Sequence, residues 1–381
     1  MLGGRSVSIL GTRGIPARHG GFETFAEALA LYLQGRGWAV TVYCQEERGG
    51  PMAETQWRGV RLVTIPSRLA GPLGTIEFDF KCILDALRRP SAVNLTLGYN
   101  TAGFGVLFRL LGRCNIFNMD GLEWKRNKWS RPIRALFFIN EWLGCWLGNT
   151  LIADNPEIAR HLRTRGVAAK TVTIPYGADP VQDAPASLLA PFGLQAGCYA
   201  LLVARAEPEN SVLELVTAFS ARPRGVRLVV LGAYDTARHP YCAVVQAAAS
   251  AEVLFPGAIY DKDLVSALRF HALAYFHGHR VGGTNPALVE ALGAGCAILA
   301  HDNPFNRWVA GDAALYFGNT AQCGAAMDAL FGDVERVAEL RRASRKRHAE
   351  AFTWPAVLDA YERVLLESCG ESVGGAARTW A

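Results

Sequence analysis

Short runs of β-branched and apolar residues alternate with longer stretches at helical spacing along the whole of this chain, the pattern of parallel sheets covered by helices. Residues 7–10 read as a first strand, and apolar residues at Phe22, Phe25, Ala26, Leu29, Ala30 and Leu33 then mark a helix. Residues 39–43, 61–65, 92–95 and 115–118 continue the strand series, followed by 151–153 and 172–174. Pro175, Gly177, Asp179, Pro180 and Pro185 interrupt the pattern, which then restarts. In the second half 199–203, 226–231, 253–255, 273–276 and 297–300 read as strands, with helices at 213–219, 264–268 and 287–294 between them. A chain of 381 residues, half of them apolar, suits two α/β domains rather than one. The expected domains are 1–178 and 196–350, with a final helix at 354–368 packing back on the first.

A net charge of +5 is small for this length, so attraction to phosphates or anionic lipid must come from local clusters. With no recognisable nucleic-acid-binding module, a nucleic-acid partner is not expected. The nine cysteines are scattered singly without a CxxC pair, as in a reduced compartment. The first residues lack the apolar region of a signal peptide, and no run approaches the roughly 20 apolar residues of a membrane span. The expected location is cytoplasmic, either free or at the inner face of the plasma membrane. Beyond about Glu367 the chain is rich in Gly and Ser and is expected to fray.

Three clusters carry chemistry. The first strand runs into Gly11-Thr-Arg-Gly14-Ile-Pro16, and Gly20-Gly21 opens the first helix. A glycine-rich strand-to-helix turn offers backbone N–H groups at the positive end of a helix dipole, although the GxGxxG spacing is not met. The second cluster is Arg205 with Glu207, Glu209 and Asn210, after the strand 199–203. An arginine at the carboxyl end of such a strand points into the crevice where α/β sheets bind ligands, and its guanidinium takes a diphosphate bidentately. The third cluster runs from His277 through His279, Gly282, Gly283, Thr284 and Asn285 to Glu290. Asn285 reads as a helix cap with Pro286 at the first position, building a second anion site. Glu290, one turn inside, is placed to accept from ribose hydroxyls.

His277 and His279 invite a metal reading, but they are expected to face opposite ways at the strand end and no third ligand is apparent, so no metal is expected. Asp261-Lys262-Asp263 resembles a metal-binding DxD, yet it precedes a helix and capping by Asp263 is the simpler reading. Asp120, before Gly121 at a strand end of the first domain, is a candidate acceptor contact or base.

Taken together, the phrases GTRGIPARHGGFET, MDGLEWKRNKW, EPEN, GGTNPALVEA and HDNPFNR resemble the retaining glycosyltransferases of the family-four type. They are most similar to a bacterial subgroup that includes β-1,4-rhamnosyltransferases of capsule and wall polysaccharide synthesis. The resemblance covers nearly the whole chain. It implies the GT-B fold: two Rossmann-like doubly wound domains facing a central cleft. It also implies a nucleotide-sugar donor such as dTDP-rhamnose, a saccharide or lipid-linked acceptor, and no cofactor or metal. By the same resemblance Glu290 holds the donor ribose, the Thr284 and Asn285 amides meet the diphosphate, and Arg205 stabilises it as it leaves. Asn210, His279, Gly283, Gly20 and Gly21 complete the expected donor contacts. The sequence departs from the family at two points: Asn210 stands where a lysine is usual, and Gly282 replaces the first glutamate of an E-x7-E pair.

Between Trp124 and Arg134 lie five basic residues and two tryptophans, and the following helix carries Phe138, Trp142 and Trp146 at spacing four. Basic residues and indoles favour an anionic membrane surface, so 124–146 is an expected docking segment. Ile133, Leu136, Phe137 and Leu143 form a second apolar face that reads as core. Two rival readings are a nucleotide-sugar epimerase or dehydrogenase and a noncatalytic protein that keeps the fold. The first lacks its GxGxxG turn and its Tyr-x-x-x-Lys pair. Gly282 and Asn210 leave room for the second.

Overall fold

The computed structural model describes residues 4–17, 20–47, 49–89, 91–237, 239–371 and 380. It divides into two compact units: unit 1 comprises 1–125, 129–176 and 354–381, and unit 2 comprises 126–128 and 177–353.

Unit 1 is built on an eight-stranded sheet. Its strands are β1 (Ser6–Leu10), β2 (Ala39–Glu46), β3 (Ala53–Trp57), β4 (Val60–Pro66), β5 (Val93–Leu97), β6 (Asn115–Asn118), β7 (Thr150–Ala153) and β8 (Thr171–Thr173). Across the sheet the order is β3-β4-β2-β1-β5-β6-β7-β8, parallel throughout except for β3 against β4. Its helices are α1 (Gly21–Gly35), α2 (Gly71–Arg88), α3 (Val106–Leu110), α4 (Arg131–Leu147) and α5 (Pro156–Arg163). The central strands are buried on both faces, as the adjacent pairs Ile9 and Leu10, and Val42 and Tyr43, show, which is why they read as continuous apolar runs. β3 escaped the sequence reading because Ala53–Trp57 is a polar, exposed edge strand. A tight turn with Arg58 and Gly59 at positive φ joins it to β4.

Unit 2 is built on a six-stranded, fully parallel sheet in the order β11-β10-β9-β12-β13-β14. The strands are β9 (Tyr199–Val203), β10 (Arg227–Leu231), β11 (Val253–Gly257), β12 (Ala274–His277), β13 (Ile298–His301) and β14 (Ala314–Phe317). The helices that cover it are α6 (Val212–Ser220), α7 (Pro240–Ala247), α8 (Lys262–Phe270), α9 (Pro286–Gly293), α10 (Pro304–Ala310), α11 (Thr320–Gly332) and α12 (Val334–Ala351). Asp261 caps α8 by accepting from the Leu264 amide at 2.9 Å, so the cap is Asp261 and Asp263 lies in the first turn.

The last helix, α13 (Trp354–Ser368), belongs to unit 1. Tyr361 packs on Phe25 at 4.6 Å and accepts from Asn118 Nδ2, while Glu362 takes the Trp38 indole N–H at 3.1 Å. Residues 372–379, most of the tail expected to fray, lie outside the described residues.

In both sheets the order reverses at one place, between β1 and β5 in unit 1 and between β9 and β12 in unit 2. Helices leave opposite faces there, so a crevice opens at the carboxyl ends of the two strands. The glycine loop of unit 1 and the Arg205 and His277 loops of unit 2 all start from these strand ends.

Candidate functional site

In unit 2, Arg205 follows β9 with its side chain exposed, and no carboxylate among the described residues pairs with it. The loop that holds it is locked from within: Asn210 is buried and donates through Nδ2 to the Arg205 carbonyl at 3.0 Å. Asn210, expected from sequence as a donor contact, is therefore a brace within the loop. At the neighbouring strand end Gly278 presses against this loop, where a Cβ would stand 2.1 Å from the Asn210 carbonyl oxygen. Only glycine allows the β12 and β9 loops to approach so closely.

His277 and His279 do not point to opposite faces. Their rings stack with centroids 4.4 Å apart and planes 13° apart, because residues two apart along an extended chain project to the same side. Both nitrogens of His277 and the Nδ1 of His279 are buried without a hydrogen-bond partner. Burial, with the positive charge of Arg205 added, pushes His279 down to about 3. Burial likewise drives His277 well below the ordinary histidine range. Two neutral imidazoles with unmet hydrogen-bonding capacity thus sit beside an unpaired guanidinium, an arrangement that a polar ligand completes. His277 was not singled out as a binding residue from sequence, since its partnerless state depends on the fold around it.

The HDNPFNR phrase explains what fixes His279. Asn303 caps α10 by accepting from the Asn306 amide at 3.0 Å, and the Nδ2 groups of Asn303 and Asn306 both donate to the His279 carbonyl. Downstream, Asn285 caps α9 by accepting from the Ala287 amide at 3.0 Å, with Pro286 first in the helix. Thr284 is buried at that N-terminus, and Gly283 precedes it. Gly282 has φ 134°, with nothing within 4 Å of where a Cβ would stand. A glutamate there would be strained by the backbone. Glu290, on α9, pairs with Arg269 at 2.5 Å. That partner lies far away in sequence and carried no signal.

In unit 1, Gly11 has φ 79° and a Cβ there would stand 2.2 Å from the Leu97 carbonyl oxygen, so the loop after β1 crosses directly over the end of β5. Arg18 and His19 of this motif lie outside the described residues. The amides of the loop are already engaged: Arg13 N donates to Glu23 Oε1 at 3.2 Å and Ala17 N to Glu27 Oε2 at 2.6 Å. Gly20 is the backbone cap of α1 and Gly21 its first residue, but the Glu23 carboxylate stands beside Gly20. The turn resembled a phosphate cradle from sequence. The carboxylates that fill it repel a phosphate and suit neutral hydroxyl groups.

A cavity of about 240 Å³ opens at this switch point, lined among others by Thr12, Arg13, Glu23, Asp79, Asn100 and Thr101. Burial raises the Asp79 carboxyl to about 6, and a bond from Thr101 Oγ1 at 2.8 Å only partly offsets this. Sequence reasoning missed Asp79, although a carboxylate inside the Phe78-Cys82-Ile83 stripe of α2 was a legible oddity. Asp120 follows β6 at φ 48°, a backbone region costly for a residue with a side chain, and its amide accepts no freedom to relax: it donates to Asn118 Oδ1 at 3.0 Å. Its loop is braced by the Tyr99 hydroxyl, which donates to the Gly121 carbonyl and accepts from the Glu123 amide. The run after it supplies further props, with Trp129 Nε1 bound to Glu123 and Trp124 Nε1 to Glu141. Among the described residues no three His, Cys, Asp or Glu side chains gather as a metal site.

Residues 4–179 match a family described as a domain of unknown function (DUF1972). No curated protein matches the chain in sequence. Solved structures do match in fold. The sucrose-phosphate synthase of Thermosynechococcus elongatus superposes with a TM-score of 0.78 at 18% identity, over 95% of this chain and 98% of that one. HepE of Anabaena, in complex with UDP and glucose, gives 0.74 at 13% identity over 95% and 99%. The UDP-forming α,α-trehalose-phosphate synthase of Burkholderia vietnamiensis gives 0.71 at 12% identity over 95% and 100%. At such identities the likeness is one of fold: the chain has the α/β GT-B fold, with two Rossmann-like parallel-sheet domains.

Proposed function

We propose that the chain is a retaining, metal-independent glycosyltransferase that moves a hexose, rhamnose first among the candidates, from a nucleotide-diphosphate donor to a saccharide or lipid-linked saccharide. The observation that carries this reading is the switch point of unit 2, where an unpaired Arg205, two neutral buried histidines and the capped N-terminus of α9 share one sheet edge. Every feature there favours an anion, and none is a carboxylate in the His279 to Asn285 loop. HepE was solved with UDP and glucose, which makes a nucleotide-sugar donor the natural ligand to test for this fold.

In this reading the donor diphosphate lies against Arg205 and the amides of Gly283, Thr284 and Asn285, with His279 donating from its neutral ring. Glu290 accepts from the ribose. The bond from the anomeric carbon to the diphosphate oxygen breaks, and the acceptor oxygen bonds the same face through an oxocarbenium-like state. The hydroxyl proton leaves with the diphosphate. Arg205 stabilises the charge that develops on that leaving group, the term on which such catalysis mainly rests. Asn210 acts through the loop it braces rather than by touching the donor. The unit 1 cavity, with its carboxyl groups and hydroxyls, is assigned to the neutral acceptor, and Asp120 to the acceptor hydroxyl. The open space at Gly282 fits a deoxysugar, which presents one hydroxyl fewer to the protein.

Thermal-shift and diphosphate-release assays against dTDP-, UDP- and GDP-sugars test the proposal. One nucleotide series is expected both to stabilise the protein and to release its diphosphate when an acceptor is present. Stabilisation without release under any acceptor marks a noncatalytic binder, and a folded protein indifferent to all three series overturns the reading.

A further inference from the structure

Among the described residues sixteen large apolar side chains are exposed, and twelve of these lie on or beside α2, α3 and α4 of unit 1. Leu73, Leu110, Leu111, Leu136, Ile139 and Trp146 are each 45–75% exposed. Single apolar residues on a surface need no explanation, whereas this concentration does. The three helices are neighbours: Phe80 of α2 meets Phe104 at 5.1 Å, and the turn containing Phe104 runs into α3 and is tied to α4 by the Gly103 amide bond to Asn140 Oδ1.

Helix α4 shows the feature most sharply. Its buried stripe is Asn140, Glu141, Gly144 and Cys145, while Ile133, Leu136 and Ile139 face out. Of the face that reads as core from sequence, Ile133 and Leu136 are therefore exposed, while Phe137 and Leu143 are half-buried. Phe138 and Trp142, on the stripe expected to meet the membrane, lie under the Arg165 guanidinium at 4.9 and 4.6 Å. Trp124 and Trp129 are partly buried and tied through their indoles to Glu141 and Glu123. The docking surface thus shifts from 124–146 to the outward faces of the three helices.

Its charge indicates the occupant. Arg88, Arg109 and Arg131 are exposed at these helices, whereas α3, α4 and the loop 111–114 carry no exposed carboxylate. The one acid in α4, Glu141, is buried and held by Arg165 and His161. A symmetric pairing with a second copy would set these arginines against one another without a counter-charge. We propose that this face of unit 1 docks on an anionic lipid bilayer, its apolar side chains entering the headgroup boundary and its arginines meeting lipid phosphates. Among the described residues no helix is long and apolar enough to cross a membrane, so the contact is with the surface. This surface stands independently of the transfer reaction.

Sedimentation of the full chain with phosphatidylglycerol vesicles, against phosphatidylcholine vesicles, tests it. Binding to the anionic vesicles at low salt is expected, with a loss of roughly tenfold or more in a Leu110→Glu, Ile139→Glu double variant. An Arg109→Glu, Arg131→Glu variant is expected to lose about as much and to remove the salt dependence. Both variants alter exposed side chains, so their melting curves and their diphosphate release with a soluble acceptor stay those of the parent. The proposal is overturned by absence of binding at low salt, by equal binding of the variants, or by a self-associated chain that Leu110→Glu, Ile139→Glu makes monomeric without any vesicle binding.

Discussion

The two units share a strand order around one switch point, yet their crevices carry opposite chemistry. In unit 1 the loop amides are bound by Glu23 and Glu27, and Asp79 lies in the adjoining cavity. In unit 2 the matching strand end bears Arg205 without a carboxylate partner, next to two imidazoles that stay neutral. The shared position, a loop after the first strand at the switch point, is therefore neutral to its ligand. Side chains on the following helices decide whether it meets an anion or an uncharged polyol.

The largest expected effect tests the anionic side. Arg205→Ala should lower kcat roughly 10²–10³-fold in a donor-saturated assay, as loss of one preorganised charge at a leaving group does. Its melting temperature should hold, because the side chain is exposed and supports nothing. Unchanged turnover would remove Arg205 from the mechanism and the contrast between the units with it.

The next test separates backbone need from ligand need. Gly11→Ala forces a Cβ onto the Leu97 carbonyl at a positive φ and should cost about 2–4 kcal/mol in urea unfolding. Gly282→Ala meets open space and bears only the backbone strain, about 1 kcal/mol. If the two cost the same, the loop of unit 1 is not pinned by that close approach.

A third test reads the acidic side through pH. The carboxyl of Asp79 is raised from 3.8 to about 6, so between those values the folded chain holds a proton that the unfolded chain has lost. Stability is then full below pH 4 for this group and falls as pH rises toward 6, by about 1–3 kcal/mol. Paired carboxylates such as Glu77, lowered to about 2 mainly by its bond to Lys81, give the opposite slope. The measurement is therefore the difference between parent and Asp79→Asn melting curves across that window. The asparagine variant should gain on the parent above pH 6 and lose the advantage below pH 4.

Much of this arrangement was legible in the sequence, and the reason lies in what each feature depends on. β9 could be read to the residue because strands buried between helices must be apolar runs. The α9 terminus was equally plain, since Asn285 and Pro286 act within one turn of where they stand. The polar edge strand β3 lacked that signal. So did the Glu23 and Glu27 bonds, which look like ordinary helix residues until the preceding loop folds over them. The stacked histidines were misread because residues two apart on a strand share a face, whereas the reading set them on opposite ones.

The smallest expected effect concerns the residue on which both structural and ligand roles converge. Glu290 pairs with Arg269, whose side chain is only 9% exposed and whose Nε has no partner. Glu290→Gln keeps the shape and one acceptor for Arg269 but gives up the charge. Should the carboxylate hold the donor ribose, KM for the donor rises about tenfold while kcat changes little, the signature of lost ground-state binding. Should it serve only to neutralise Arg269, KM stays put and the melting temperature falls instead, because a buried guanidinium is left without its counter-charge. The two readouts move separately, so one variant tells whether the Glu290 carboxylate belongs to the ligand or to the fold.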